Sequence, residues 1–364
     1  MIRVLQCVNN MHRAGLETML MNYYRNIDRD KIQFDFLMHR EERSDYDDEI
    51  ESLGGRIYRA PRLYPQNYPA YFAYMKKFFA EHPEYQIVHS HIDAMSYLPL
   101  RAAKKANVPI RIAHSHNTAI DKDFKYLLKQ AFRHGITGVA NEFAACGDEA
   151  GRFLFGDKAF RVIPNAIDAS VFRFDDVVRS AKRDELGLDD KFIVGHVGRM
   201  SYQKNHTFLL DIFERIAARR EDAVLLLVGV GEKEEEIRQK VNKLNLKNRV
   251  LFLGKRSDVR ELYQAMDVFL LPSLFEGIPV VGIEAQASGL PCVFSAKVPR
   301  EAQVTDRCSF VPLTQTTEEW ADEVLKQHTT GRDHVQIFSD YDIKHAHVIL
   351  ERYYEALYAC VNKN

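Results

Sequence analysis

The sequence predicts two consecutive α/β domains, each a parallel β-sheet covered by helices. Three observations predict this. Short apolar runs rich in β-branched residues alternate with helix-like stretches, the pattern of buried parallel strands joined by crossover helices. The alternation restarts near residue 192, after the polar stretch Asp168–Lys191, which has few apolar anchors. A chain of 364 residues is long for one such core and suits two.

The strands expected first are Ile2–Val8, Gln33–Met38, Ile57–Tyr58, Ile87–His89, Arg111–His114, Gly138–Ala144 and Arg161–Ile163. The second set is Phe192–Val197, Ala223–Val228, Val250–Leu253, Val268–Leu271, Cys292–Ser295 and Ser309–Val311. Helices are expected at Leu16–Asn26, Tyr71–Glu81, Tyr126–His134, Thr207–Arg219 and Glu232–Leu244. The first domain is expected over 1–168, the second over 190–344, with 169–189 as connection. A final helix, about 345–364, is expected to return to the first domain, carrying Ile349, Tyr353, Tyr354 and Leu357. Sheets of this kind bind ligands outside the carboxyl ends of their strands. Chemistry is therefore expected in loops after strands, in a central cleft that the two domains face.

Composition narrows the function. Net charge is −1, with 28% charged and 46% hydrophobic residues, so no basic excess points to nucleic acid. Cys7, Cys146, Cys292, Cys308 and Cys360 are far apart and form no C-x-x-C pair, which argues against zinc or redox motifs and for reduced thiols in a cytoplasm. The opening MIRVLQCVNN is too short for a secretory apolar region. No stretch approaches the roughly 18 apolar residues of a membrane span, so any membrane contact is expected to be peripheral, at the inner face.

The most informative segment runs from Pro272 to Pro291 and contains Glu276-Gly277-Ile-Pro279-Val280-Val281 and Glu284. It follows an apolar strand. Gly277 permits a backbone turn that other residues resist, and Pro279 suits a helix start. The amides of Val280 and Val281 would then lie at a helix N-terminus, where anions bind. Glu276 and Glu284 bracket that start. A carboxylate accepts two hydroxyl hydrogen bonds, so two of them suit a sugar and a ribose with a diphosphate between. A bare glutamate pair would be ordinary surface; the strand, turn, proline and apolar helix around it make the difference. Arg199 and Lys204 lie between another strand and helix, an arrangement that offers a planar fork and a point charge to phosphate oxygens.

These segments resemble the Glu-x7-Glu and Arg-x4-Lys motifs of retaining glycosyltransferases of the GT-B fold, glycosyltransferase family 4, and the likeness runs along essentially the whole chain. The resemblance implies that Glu276 contacts the donor sugar, Glu284 the ribose, and Arg199 with Lys204 the diphosphate. It implies that Lys255-Arg256-Ser257-Asp258 holds the base through its backbone. It implies no cofactor and no metal site, the cations supplying what a divalent ion would. Asp45-Tyr-Asp47 and Asp121-Lys-Asp123 have an Asp-x-Asp form but lie in highly charged stretches and are read as solvated surface.

The first domain carries matching loops. Gly15 opens a helix where the family has two adjacent glycines and this chain has Ala14-Gly15. His114-Ser-His116-Asn117-Thr118 and His89-Ser-His91 each follow a strand. The family's sugar-contacting histidine matches His116, with His114 the alternative, and the triplet at His89 and His91 competes for the role. Pro164-Asn165-Ala-Ile-Asp168 resembles a family turn near the acceptor or the hinge.

Between residues 96 and 135 the cations Arg101, Lys104, Lys105, Arg111, Lys122, Lys125, Lys129 and Arg133 face only Asp121 and Asp123, and Phe124, Leu127, Leu128 and Phe132 add an apolar stripe. Such a face suits an anionic membrane surface or packs on a core with its basic side solvated. The opening loop and His-Ser-His-Asn-Thr resemble transferases of bacterial exopolysaccharide or capsule assembly. The implied reaction moves a sugar from a nucleotide-diphosphate donor, expected to carry uridine, to a glycan or polyprenyl-diphosphate-linked acceptor. The alternatives are a nucleotide-sugar epimerase on the same scaffold and a protein that binds donor without turnover. A dinucleotide-binding dehydrogenase is a further alternative, for Val228-Gly229-Val-Gly231 follows a strand, but no third glycine follows.

Overall fold

A computed structural model describes residues 1–120, 125–327, 331–332 and 335–362. The chain divides into two compact units, 1–166 with 339–364 and 167–338. Asp121, Lys122, Asp123 and Phe124, part of the basic stretch above, lie outside the described residues.

The first unit holds β1 (Ile2–Val8), β2 (Ile32–Met38), β3 (Ile57–Arg59), β4 (Ile87–Ser90), β5 (Ile110–Ser115), β6 (Glu142–Ala145) and β7 (Arg161–Val162). All pairings are parallel, in the order β3-β2-β1-β4-β5-β6-β7. Its helices are α1 (Gly15–Asn26), α2 (Asp47–Ser52), α3 (Tyr68–Glu81), α4 (Tyr97–Lys105), α5 (Tyr126–Gly135) and α6 (Asp148–Phe155). The central strands are apolar on both faces because helices cover both. Leu5, Leu37 and Val88 pack with Tyr71, Met75 and Phe78 of α3 and Leu98 and Leu100 of α4. Each such fully buried side chain contributes roughly 1.5–3 kcal/mol.

The second unit opens with α7 (Ala169–Phe172) and α8 (Asp176–Leu186). Its sheet contains β8 (Phe192–Val197), β9 (Ala223–Val228), β10 (Val250–Gly254), β11 (Val268–Leu271), β12 (Cys292–Ser295) and β13 (Cys308–Val311), again all parallel, in the order β10-β9-β8-β11-β12-β13. Between them run α9 (His206–Arg219), α10 (Glu234–Lys243), α11 (Val259–Ala265), α12 (Val280–Ala287) and α13 (Thr317–Leu325). Leu209, Leu210, Phe213 and Ile216 of α9, spaced three and four apart, bury one stripe against Val194, Leu225 and Leu227. The start of α13 is set by a reciprocal capping box between Thr316 and Glu319. The last helix, α14 (Ile343–Asn362), belongs to the first unit. There Tyr354 meets Phe34 edge to face, and Glu351 accepts the Asp28 amide at 2.7 Å.

The stretch 169–189, expected as a bare connection, is built into the second unit as α7 and α8. Its charges have partners: Lys182 pairs with Asp258 at 2.8 Å, Arg179 with Asp267 at 2.5 Å, and Arg179 donates to the Met266 carbonyl at 2.8 Å. Asp175 caps α8 by accepting from the amides of Val177 and Val178. The expected strand Gly138–Ala144 begins later, at Glu142, since Ile136–Gly138 turns as a 3-10 helix whose Ile136 carbonyl accepts from the Val139 and Ala140 amides. Lys104 reaches the Gly138 carbonyl at 2.7 Å and Arg111 that of Val139 at 2.8 Å.

Both strand orders reverse beside the first strand of their unit, between β1 and β4 and between β8 and β11. These are the topological switch points where such sheets open for ligands. In the second unit the loops after β8 and β9 lie against each other, through Gly198 N to Val228 O at 2.9 Å and Met200 N to Val230 O at 3.1 Å. The Gly229-x-Gly231 pair makes this contact possible. A Cβ on Gly229 (φ +128°) would lie 2.2 Å from the Gly198 carbonyl, and one on Gly231 2.3 Å from that of Met200. These glycines therefore serve backbone packing, which accounts for them without a dinucleotide. Gly229→Ala is expected to destabilise the protein by about 2–3 kcal/mol through backbone strain and this clash, read as a lowered urea midpoint.

Candidate active site

At the second switch point the loops after β8 and β11 are joined by one ion pair. Lys204 Nζ lies 2.6 Å from Glu276 Oε1, with both side chains largely buried. Ser273 Oγ donates to the same oxygen at 2.7 Å, and Gln203 Nε2 donates to Oε2 at 3.1 Å. Three side chains thus fix one carboxylate. The backbones are tied as well, Leu274 N to Gln203 O at 2.8 Å and Asn205 Nδ2 to Pro272 O at 3.1 Å. Asn205, in the left-handed region at φ +55°, turns the loop into α9.

Pro279 is the N-cap of α12 and Val280 and Val281 are its first residues, so their amides precede the first intrahelical bond. The left-handed glycines of this unit are Gly187, Gly229, Gly254, Gly289 and Gly331, and the special turn expected at Gly277 is not among them; the loop is shaped instead by the bonds to Glu276 and by Asn205. Glu284 lies one turn into α12 and accepts from the Tyr263 hydroxyl at 3.0 Å. Burial pushes its carboxyl up to about 7, against the lowering effect of that hydrogen bond. Arg332, buried, donates to the carbonyls of Tyr263, Gln264, Met266 and Ser288, holding the ends of α11 and α12 together.

Arg199 has a different partner from Lys204. It is mostly exposed and pairs with Glu232, after β9, at 3.0 Å. Lys255 is exposed after the edge strand β10. Its neighbours Arg256 and Asp258 are bound to each other at 2.6 Å and, through Lys182, to α8.

In the first unit, Gly15 is the exposed first residue of α1, whose N-terminus has no side-chain cap. Of Asp45 and Asp47, read from sequence as solvated surface, Asp45 is exposed at this loop and Asp47 is not. Asp45 accepts the Arg13 amide at 3.0 Å and lies 3.2 Å from His12. Asp47 is buried and pairs with Arg59. Asn165 is buried next to the crossing into the second unit, in a turn held by Tyr23 OH to Pro164 O at 2.8 Å and Asn22 Nδ2 to Ala166 O at 3.0 Å. Asp168 caps α7.

The two His-Ser-His triplets interlock at the ends of β4 and β5. His89 Nε2 lies 3.0 Å from His114 Nδ1, and His91 Nδ1 lies 3.0 Å from His116 Nε2. His114 and His116 stack with centroids 4.0 Å apart. Behind them His91 Nε2 meets Gln6 Oε1 at 2.7 Å, and His89 Nδ1 meets the Tyr354 hydroxyl at 2.7 Å. Asp93, itself at φ +46°, accepts the His116 amide at 2.7 Å and the Asn117 side chain at 2.8 Å. Burial holds His89, His91 and His114 well below the usual imidazole range and brings His116 down to about 3, so all four rings are neutral at pH 7. His89, His91 and His114 each offer a nitrogen within 4.8 Å of the others. A metal ion there would displace existing bonds, since every ring nitrogen of these three except His114 Nε2 has a hydrogen-bond partner.

Sequence reasoning did not single out Gln6, Asp93, Gln203, Tyr263, Ser273 or Tyr354 for the site. Gln6 carries a readable mark, a polar residue inside an apolar strand, and Ser273 precedes Glu276 by three residues; Tyr354 carries none.

Residues 13–171 match the family described as Glycosyltransferase Family 4, and residues 191–329 the family described as Glycosyl transferases group 1. EpsF of Bacillus subtilis (strain 168), named as a glycosyltransferase, is 36% identical over 91% of this chain and 88% of its own. CapH of Staphylococcus aureus, a capsular polysaccharide biosynthesis glycosyltransferase, is 25% identical over 94% and 95%. An Escherichia coli UDP-Gal:alpha-D-GlcNAc-diphosphoundecaprenol alpha-1,3-galactosyltransferase is 30% identical over 58% of each chain. Among solved structures, Anabaena HepE in complex with UDP and glucose superposes with a TM-score of 0.80 at 18% identity, over 98% of this chain and 100% of that one; the likeness shows a shared fold. With both halves matched in order and a relative similar along nearly its whole length, the chain belongs to glycosyltransferase family 4, the group 1 glycosyltransferases, and has their GT-B fold.

Proposed function

We propose that this glycosyltransferase transfers a hexose, with retention of anomeric configuration and without a resident metal ion, from a UDP-sugar to a glycan or polyprenyl-diphosphate-linked acceptor in exopolysaccharide or capsule assembly. The observation that carries the reading is the Lys204–Glu276 pair at the second switch point, beside the N-terminus of α12 and one turn from Glu284. Glu276 is read as the partner of the sugar hydroxyls and Glu284 as that of the ribose. Arg199, Lys204 and the Val280 and Val281 amides take the diphosphate, and the backbone near Lys255 takes the base. Gly15 allows close approach at the start of α1, and His116 contacts the sugar. The named donor and lipid-linked acceptor of the Escherichia coli relative and the capsular role of CapH support the chosen substrates.

Cleavage of the anomeric C–O bond leaves negative charge on the diphosphate, and cations already in place there favour the transition state over the ground state. The acceptor oxygen bonds to the same face of the anomeric carbon, and its proton passes to the departing phosphate oxygen. The protein positions the reactants and excludes water. An epimerase would turn over without acceptor, and a sensor would bind donor without releasing UDP.

Three measurements test this. Glu276→Gln and Lys204→Ala are each expected to lower donor-dependent UDP release by about two orders of magnitude or more with an unchanged circular dichroism spectrum; near-native rates in both would remove the assignment. Glu284 loses its proton as pH rises through about 7, and only the carboxylate accepts both ribose hydroxyls. Calorimetric UDP affinity should therefore rise up to about tenfold from pH 6 to pH 8, a gain that Glu284→Gln lacks. The same raised value means that the unliganded fold is favoured below about 4.5 and loses this contribution as pH rises through about 7. Finally, α5 has no fully buried residue and leaves Leu127 81% exposed beside Lys129 and Arg133. This supports peripheral contact with an anionic membrane, as expected for an enzyme working at its inner face. Flotation with anionic vesicles is expected to be salt-sensitive and reduced by Leu127→Glu; no salt-sensitive flotation of the native chain sinks the contact.

A further inference from the structure

The histidine cluster of the first unit is more specific than a group of buried rings, because its hydrogen bonds have a direction. Gln6 Nε2 donates to the Tyr354 hydroxyl at 3.3 Å, so Gln6 Oε1 accepts from His91 Nε2 at 2.7 Å. A neutral His91 protonated at Nε2 has a bare Nδ1, which then accepts from His116 Nε2. On the other arm Tyr354, receiving from Gln6, donates to His89 Nδ1. His89 Nε2 then donates to His114 Nδ1. All four imidazoles end as the Nε2–H tautomer. The two arms end differently. His116 is left with a bare Nδ1, and His114 with an Nε2–H that is buried and unpartnered. Reversing the Gln6 amide would reverse every bond and give four Nδ1–H rings, so the two descriptions differ at each histidine.

We infer that Tyr354 and Gln6 are positioning residues that hold His116 as a hydrogen-bond acceptor for a hydroxyl of the transferred sugar. This rests on the donor reading given above. A sugar hydroxyl can donate to such a nitrogen, and His116 is the one ring of the four that is not fully buried. The unpartnered His114 N–H ends the other arm inside the unit, its ring stacked on His116. Gln6, His89, His91, His114 and Tyr354 are each at most 2% exposed, so solvent does not scramble the direction. The arrangement also gives the C-terminal helix a task at the site. Tyr354, on α14, is the hydroxyl that turns the second arm.

Nitrogen NMR of the full chain with isotope-labelled histidine reads each tautomer. The expected native result is Nε2–H at His89, His91, His114 and His116; an Nδ1–H ring at His116 overturns the inference. Tyr354→Phe removes the acceptor that orients the Gln6 amide; it is expected to leave all four rings, His116 included, as tautomer mixtures, to lower the thermal midpoint, and to lower kcat for the matched UDP-sugar about tenfold. Unchanged tautomers in that variant, or changed tautomers with unchanged kcat, overturn the positioning role. Should Tyr354→Phe not fold, Gln6→Met applies the same test to the other arm. If the native enzyme turns over no nucleotide sugar, the donor reading fails on its own, and the spectrum still decides the tautomers.

Discussion

The Lys204–Glu276 ion pair is the constraint on which the second unit's site depends. Both groups are largely removed from water, which costs several kcal/mol per ion unless geometry and further hydrogen bonds compensate. Here the compensation is visible in Ser273 and Gln203, which complete the carboxylate, and in the backbone bonds that lock the two loops. A pair of this kind contributes less to stability than to register. It fixes where the loop after β8 ends and where the loop after β11 turns, and so where α12 begins and where Glu284 stands. Arg199, paired with Glu232 at the exposed surface, is free to change partner for the proposed diphosphate.

The two units carry different electrostatics, and under the proposed reaction these suit two chemical problems. A departing diphosphate gathers negative charge, for which the second unit offers cations and helix amides. A sugar ring is neutral and presents hydroxyls, for which the first unit offers imidazoles kept neutral by burial. A titrating imidazolium would lose acceptor capacity at half its nitrogens. Neutral rings in a closed network retain one donor and one acceptor each, and the network assigns which nitrogen is which.

The fold was largely legible from sequence, for a definite reason. Buried parallel strands carry little besides β-branched and aliphatic residues, so runs such as Phe192–Val197 and Val268–Leu271 bound themselves at both ends. Glu276 and Lys204, picked out in loops after strands, are brought together as one ion pair, while Glu284, picked out with them, lies within α12. The misreadings share a cause. The connecting segment looked like linker because its residues are charged, yet Arg179 binds Asp267 and Lys182 binds Asp258. Asp47 looked solvated for the same reason, yet it is buried and paired with Arg59. Sequence shows that a charge is present but not whether a partner waits across the fold. Tyr354 is the extreme case, for its partners His89 and Gln6 lie at the other end of the chain and nothing local marks the tyrosine.

That separation has its own consequence for folding. The first unit is made of two segments with the whole of 167–338 between them. Closing so long a loop costs entropy that grows only slowly with length, so the delay is a modest thermodynamic burden. It is a larger kinetic one, because contacts between distant segments form late. The sheet of the first unit has its seven strands within residues 1–166, so its core can form before α14 arrives. The histidine network cannot, since one of its hydroxyls comes from α14. The chain thus places a late, long-range contact at the histidine rings that the proposed reaction turns to the sugar. In the first unit, core formation and completion of the histidine network are separable steps.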